Sequence, residues 1–246
     1  MSPFGRPFAD GDRLEIAGAV VRLKVHPRAR RISLRLDRTQ REVVATAPSA
    51  RRLSEAANFA RERIDWICAR LAELPAPRPL APGRQLRLFG EAYVLARGEG
   101  RARRLVPDGG EPGRLLAPGE GEVFARGALR LIKREALAGL TRLTERHAGS
   151  LGEPTPEIRV MDARSRWGSC KPGAGRAPSV IRYSWRLALA PLSVADYVAA
   201  HECAHLRELN HGPRFWALVH DLVGDPAPQR AWLREHGARL HAVGAG

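Results

Sequence analysis

Read as a helix, residues 193–210 put Val194, Tyr197 and Val198 on one apolar stripe, and continuing that stripe reaches His201 and then His205. Apolar packing alone cannot close over two imidazoles on the interior face of a helix, because an unpaired buried polar group costs free energy. Any fold for this chain has to bring a partner to that face. Ser193 is placed to cap the start of the helix, and Asn210, Gly212 and Pro213 mark its end and a reversal of the chain around His211. Two further helices are predicted at 213–223 and 227–242.

Zinc satisfies such a pair, because histidines at i and i+4 aim their nitrogens at a common point about 2.0–2.1 Å from the ion. In the resulting HExxH pattern, Glu202 stands beside the metal without binding it and can take a proton from the metal-bound water. A catalytic zinc keeps three protein ligands and an open fourth position, and the predicted reversal makes His211 the third candidate. The spacing HExxHxxxxxH equals that of the metzincins, but Glu208 stands where they carry a helix-breaking glycine, which argues against a true metzincin.

Upstream, VVRLKV, RISLRLD and EVVATAP alternate apolar and polar residues at period two and predict a small antiparallel sheet. From Ser54, Ala60, Ile64, Ile67 and Leu71 recur at helical spacing. The proline-rich residues 74–83 read as a linker or extended crossing, and RQLRLFGEAYVLAR reads as a hairpin turning at Gly90. No internal repeat is evident. A helix from about residue 127 opens the C-terminal part, where EIRVMDA and SVIRYSW read as strands. The expected fold is α+β: a mainly β N-terminal domain with one helix over 1–126, then a small zincin-like domain with the HExxH active-site helix over 127–246.

SRWGSC (165–170), VIRYSWRLALAP (180–191), the HECAH helix and NHGPRFW (210–216) together resemble the YgjP-like zinc metallopeptidases, relatives of the SprT and WLM protease groups. The strand pairs ending in ATAP and the helix ending in RIDWI extend the resemblance over most of the chain. It implies zinc ligands at His201, His205 and His211, with Glu202 as catalytic base, in agreement with the helical reading. The expected reaction is peptide-bond hydrolysis on a protein or peptide substrate, with a metal-bound water activated by Glu202. SRWGSC is placed to form an edge strand or loop along the cleft, where Arg166 and Trp167 contact substrate, or else Trp167 packs in the core and Gly168 permits a tight turn. Tyr183, Arg166 and His220 are candidate oxyanion donors, and Cys170 reads first as an ordinary buried thiol, with a ligand or a thiol that blocks or senses the site as its alternatives.

A net charge of +15 is compatible with nucleic acid as a partner, although the arginine-rich, Ala/Gly/Pro-rich composition has a bland origin in GC-rich coding. Two rival readings follow: a protease acting on nucleic-acid-bound proteins, and a non-catalytic nucleic-acid-binding protein whose zinc is structural and closed by a fourth ligand. The three cysteines, Cys68, Cys170 and Cys203, suit neither a disulfide framework nor a CxxC pair. No apolar run is long enough to cross a bilayer, and no leader-like segment starts the chain, so the expected location is cytoplasmic with no membrane partner.

Overall fold

The computed structural model describes residues 6–38, 40–163, 166–174 and 177–244. Among them the chain is mixed α and β, with three sheets and six α-helices. Among the described residues no helix is long and apolar enough to cross a membrane. The chain divides into two compact units that meet between Pro77 and Arg78.

The first unit holds β1 (Arg13–Ile16), β2 (Ala19–Val25), β3 (Ser33–Asp37) and β4 (Glu42–Ala47), in the order β1-β2-β4-β3. The expected sheet is present but not wholly antiparallel: β2 and β4 pair in parallel. Alternation buries Leu14, Val21, Leu23, Val43 and Ala45 against Leu53, Ala56, Ala57 and Ala60 of α1 (Leu53–Glu62). The single helix expected from Ser54 breaks at Arg63, and α2 (Ile64–Ala72) carries Ile67 into the same core. Neither Gly nor Pro marks the break.

The second unit opens with β5 (Gln85–Leu88), β6 (Glu91–Arg97), β7 (Arg103–Leu105) and β8 (Gly113–Ala117), in the order β5-β6-β8-β7. This repeats the first sheet, with the first and last pairs antiparallel and the middle pair parallel. Both hairpins turn through two residues at positive φ, Ala17 and Gly18 in one, Phe89 and Gly90 in the other. The backbone bonds recur as well: Gly11 and Gly83 donate to Leu23 and Leu95 at 2.9 and 2.7 Å, while His26 and Gly98 donate to Ala47 and Ala117 at 2.9 and 3.1 Å. The chain therefore contains an internal structural repeat, contrary to the expectation of none. What the copies share in sequence is little more than alternation and a turn glycine, which any hairpin can show.

The long helix α3 (Gly121–Ser150) follows the second sheet and packs on it, so that Leu88, Tyr93, Leu95, Leu115 and Ala117 share one core with Phe124, Ala128, Leu131 and Ile132. The boundary expected at 126/127 thus falls inside α3 and is corrected to 77/78. The loop-like PGEGEV stretch concealed the start of a helix that covers the sheet before it. A third sheet, β10 (Gly168–Lys171), β11 (Val180–Ser184) and β9 (Glu157–Met161) in that order, has β10 at an edge. The last elements are α4 (Leu192–Ala204), α5 (Pro213–Val223) and α6 (Ala227–His241). Helix α4 packs between α3 and β10. It ends at residue 204 rather than 210, with His205 as C-cap, and its N-cap is Pro191 rather than Ser193.

Candidate metal centre

His201 and Glu202 lie in the last turn of α4, His205 caps it, and His211 comes from the turn leading to α5. One donor atom from each histidine lies within 4.8 Å of the others, and among the described residues no further His, Cys, Asp or Glu joins this cluster. The Nε2 atoms of His201 and His211 stand 3.1 Å apart. Two nitrogens sharing one tetrahedral ion at 2.0–2.1 Å are separated by about 3.3 Å, so the spacing suits a common cation. Facing lone pairs at that distance repel unless a proton or a cation lies between them.

Two further observations test the fit of a metal. His205 Nδ1–H donates to the Glu208 carbonyl at 2.9 Å, which fixes the tautomer and leaves Nε2 as a lone pair. The turn that ends α4 early thus supplies an outer partner for a candidate ligand. His201 Nδ1 is buried with no hydrogen-bond partner among the described residues. Burial, followed by the neighbouring His205, His211 and Arg230, pushes His201 down to about 4, and burial also lowers His205. Neutral imidazoles are what a cation requires. Three nitrogen donors suit zinc and related divalent transition metals rather than calcium or magnesium.

Glu202 is 5% exposed. Burial pushes it up to about 7 against the opposing Arg166 charge and the Cys170 backbone N–H. A carboxyl poised near neutrality can both accept and return a proton. Strand β10 crosses close to it: a Cβ on Gly168 would stand 2.6 Å from the Glu202 Cγ. Only glycine lets the strand approach so near.

Phe215 forms a common floor for the histidines, with its ring centroid 4.8, 4.6 and 4.6 Å from those of His201, His205 and His211. The sequence placed Phe215 simply on a buried helix face, and its role against all three rings went unread. Arg230 of α6 went unread too: its guanidinium stacks 4.9 Å over the Trp216 ring, which lies 6.0 Å from the rings of His201 and His211. Nothing in the local sequence distinguishes it from the many other arginines.

The remaining candidates fall elsewhere. Cys170 lies outside the donor cluster, and burial beside Glu202 pushes its thiol up to about 12, so it stays protonated. Cys203 is fully buried with Sγ 3.7 Å from the Thr144 carbonyl. Tyr183 is fully buried and its hydroxyl sits 2.9 Å from Thr144 Oγ1, so it lies in the core rather than at an oxyanion position. Trp167 stacks on His241 at 4.9 Å, which favours the packing role over substrate contact. Arg166 and His220 are exposed. Ser165 of SRWGSC lies outside the described residues.

Three clustered imidazoles beside a buried glutamate are the parts of a metallopeptidase. The YgjP-like metallopeptidase domain model matches residues 30–236, and the chain belongs to that family. The resemblance read from SRWGSC, HECAH and NHGPRFW is thereby borne out. No curated protein and no solved structure matches the chain.

Proposed function

We propose that this protein is a zinc-dependent metallopeptidase in which His201, His205 and His211 hold the ion and Glu202 handles the proton. The reading is carried by one juxtaposition: three imidazole donors within 4.8 Å of one another, one residue along α4 from a carboxyl raised to about 7. Zinc, when bound, supplies a water of lowered pKa and an electrophile for the scissile carbonyl. Glu202 accepts the proton of the attacking water on a carboxylate oxygen and delivers it to the departing amine. Its burial keeps competing water away, and Gly168 lets the β10 backbone lie against it. Because β10 is an edge strand, its outer side can pair with an extended substrate, which would lay a peptide bond alongside Glu202.

The test is zinc content and digestion of a fluorescein-labelled unfolded protein. About one zinc per chain is expected in the wild type and in Glu202→Gln. Digestion is expected only in the wild type, and His201→Ala should lose both. Digestion by metal-loaded Glu202→Gln would sink the assignment of the base. A second reading, cleavage of nucleic-acid-bound proteins, rests on the charge of +15. It requires DNA binding that weakens steeply with salt together with DNA-stimulated digestion.

A further inference from the structure

Within the unit that begins at Arg78, β5, the start of β6, the loop before β8, one face of α3 and the first residue of α4 enclose a cleft of about 1240 Å³. Six arginines line it against two glutamates, Glu91 and Glu111. Some of this charge is spent: Arg104 pairs with Glu135 at 3.3 Å, and Arg146 pairs with Asp196. Glu91 is engaged by the Tyr93 hydroxyl at 3.0 Å. The guanidinium groups of Arg84 and Arg142 have neither a hydrogen bond nor an ion pair among the described residues. The cleft therefore presents uncompensated positive charge.

Its other lining is aliphatic. Val106 and Leu192 are 63% and 52% exposed there, and Leu86 lies between Gln85 and Arg87 on β5. Small-molecule pockets run to about 300–1,000 Å³, so this cleft has room for a stretch of polymer. β5 is an edge strand, and among the described residues Gln85–Leu88 make no backbone hydrogen bonds outside the pairing with β6. Short of Phe89, whose N–H donates to the Ala188 carbonyl at 2.7 Å, its outer N–H and C=O groups can pair with an extended chain. Single-stranded nucleic acid is a poorer occupant, since it needs aromatic faces for its bases. Of the two aromatic side chains on the lining, Tyr93 is fully buried and the Phe89 ring lies against Gly139 of α3. The structural repeat sharpens the point. The position of Arg84 is filled in the first copy by Asp12, which Arg6 closes at 2.8 Å, and that of Phe89 by Ala17. The cationic lining belongs to the second copy alone.

We propose that this cleft docks an extended peptide segment carrying acidic and aliphatic side chains. Leu192 opens α4 and His201 lies near its end, roughly 13 Å further along at about 1.5 Å per residue. A docked segment would thus sit a few residues from a bond at the metal centre. That link to cleavage rests on the peptidase reading, whereas the docking itself does not.

The experiment uses the full chain and a fluorescein-labelled peptide of alternating glutamate and leucine, followed by anisotropy. Saturable binding is expected, weakened about tenfold or more by Arg84→Glu with Arg142→Glu, and unchanged in His201→Ala. Because a double charge reversal can perturb folding, Arg142→Ala on the exposed face of α3, checked by circular dichroism, should weaken binding as well. The proposal falls if the peptide does not bind, if these variants bind it like the wild type, if a lysine and leucine peptide binds as well, or if oligothymidylate displaces it at lower concentration. Binding retained by His201→Ala with no digestion by the wild type would leave the docking site standing and overturn the peptidase reading alone.

Discussion

Glu202 titrates near 7 because it is buried, so in the metal-free protein it is uncharged at pH 4 and about half charged at neutrality. Its folded value lies above the unfolded one of 4.5, so its contribution to stability is full below pH 4.5 and is lost as the pH rises through about 7. That displacement is worth about 3 kcal/mol. Metal-free Glu202→Gln should therefore match metal-free wild type at pH 4 and exceed it by up to about 3 kcal/mol above pH 8, as urea unfolding at the two pH values will read. A wild type that is the more stable at high pH would mean that the carboxylate has a stabilising partner. Gly168→Ala forces a methyl group to within 2.6 Å of the Glu202 Cγ, so either β10 or the Glu202 side chain must move. A loss of about 1–3 kcal/mol in unfolding free energy, with digestion depressed, is expected. Phe215→Ala removes the floor beneath the imidazoles and should weaken zinc about 10–100-fold in a chelator competition, the range seen when outer support of ligands is lost. Of these residues only the place of Glu202 beside the histidines was legible, from HExxH. The roles of Gly168 and Phe215 were not, because each depends on a neighbour distant in sequence or on another element.

At the scale of elements, what decides the centre is where α4 stops. The stop signals at Asn210, Gly212 and Pro213 carry the predicted helix on to residue 210, yet the helix ends at residue 204, and the following turn lets His205 reach the Glu208 carbonyl and brings His211 back to His201. Asn210, Gly212 and Pro213 announced a reversal; its early start is a hydrogen-bonding matter that periodicity does not register. The repeated hairpins offer a separate test. Ala17 sits at φ 48°, in the left-handed region that costs a side chain about 1 kcal/mol or more. Asparagine tolerates that region and is favoured at the first central position of such turns. Ala17→Asn is expected to stabilise the first unit by about 0.5–1 kcal/mol, visible as a raised unfolding midpoint. A lowered midpoint would mean that the turn is not held in this geometry.

At the scale of the whole molecule, the candidate metal centre, its floor and the sheet under α3 all lie after Arg78 in one compact unit. A chain beginning at Arg78 is therefore expected to unfold cooperatively and to bind about one zinc, measured by urea titration and metal analysis. A chain beginning at Gly127 should do neither, since it lacks β5–β8 and truncates α3. A folded, zinc-binding product from the second truncation would restore the boundary at 126/127. By itself, the sequence determined the class of elements and the helical stripe from Val194 to His205, because both are set by spacing along one strand or one helix. Tertiary structure alone decided the boundary at Pro77, the repeat of the β1–β4 sheet and the approach of β10 to Glu202. Each of these depends on which surfaces meet in space, and alternation or a lone glycine reads the same whether its partner surface lies before it in the chain or after it.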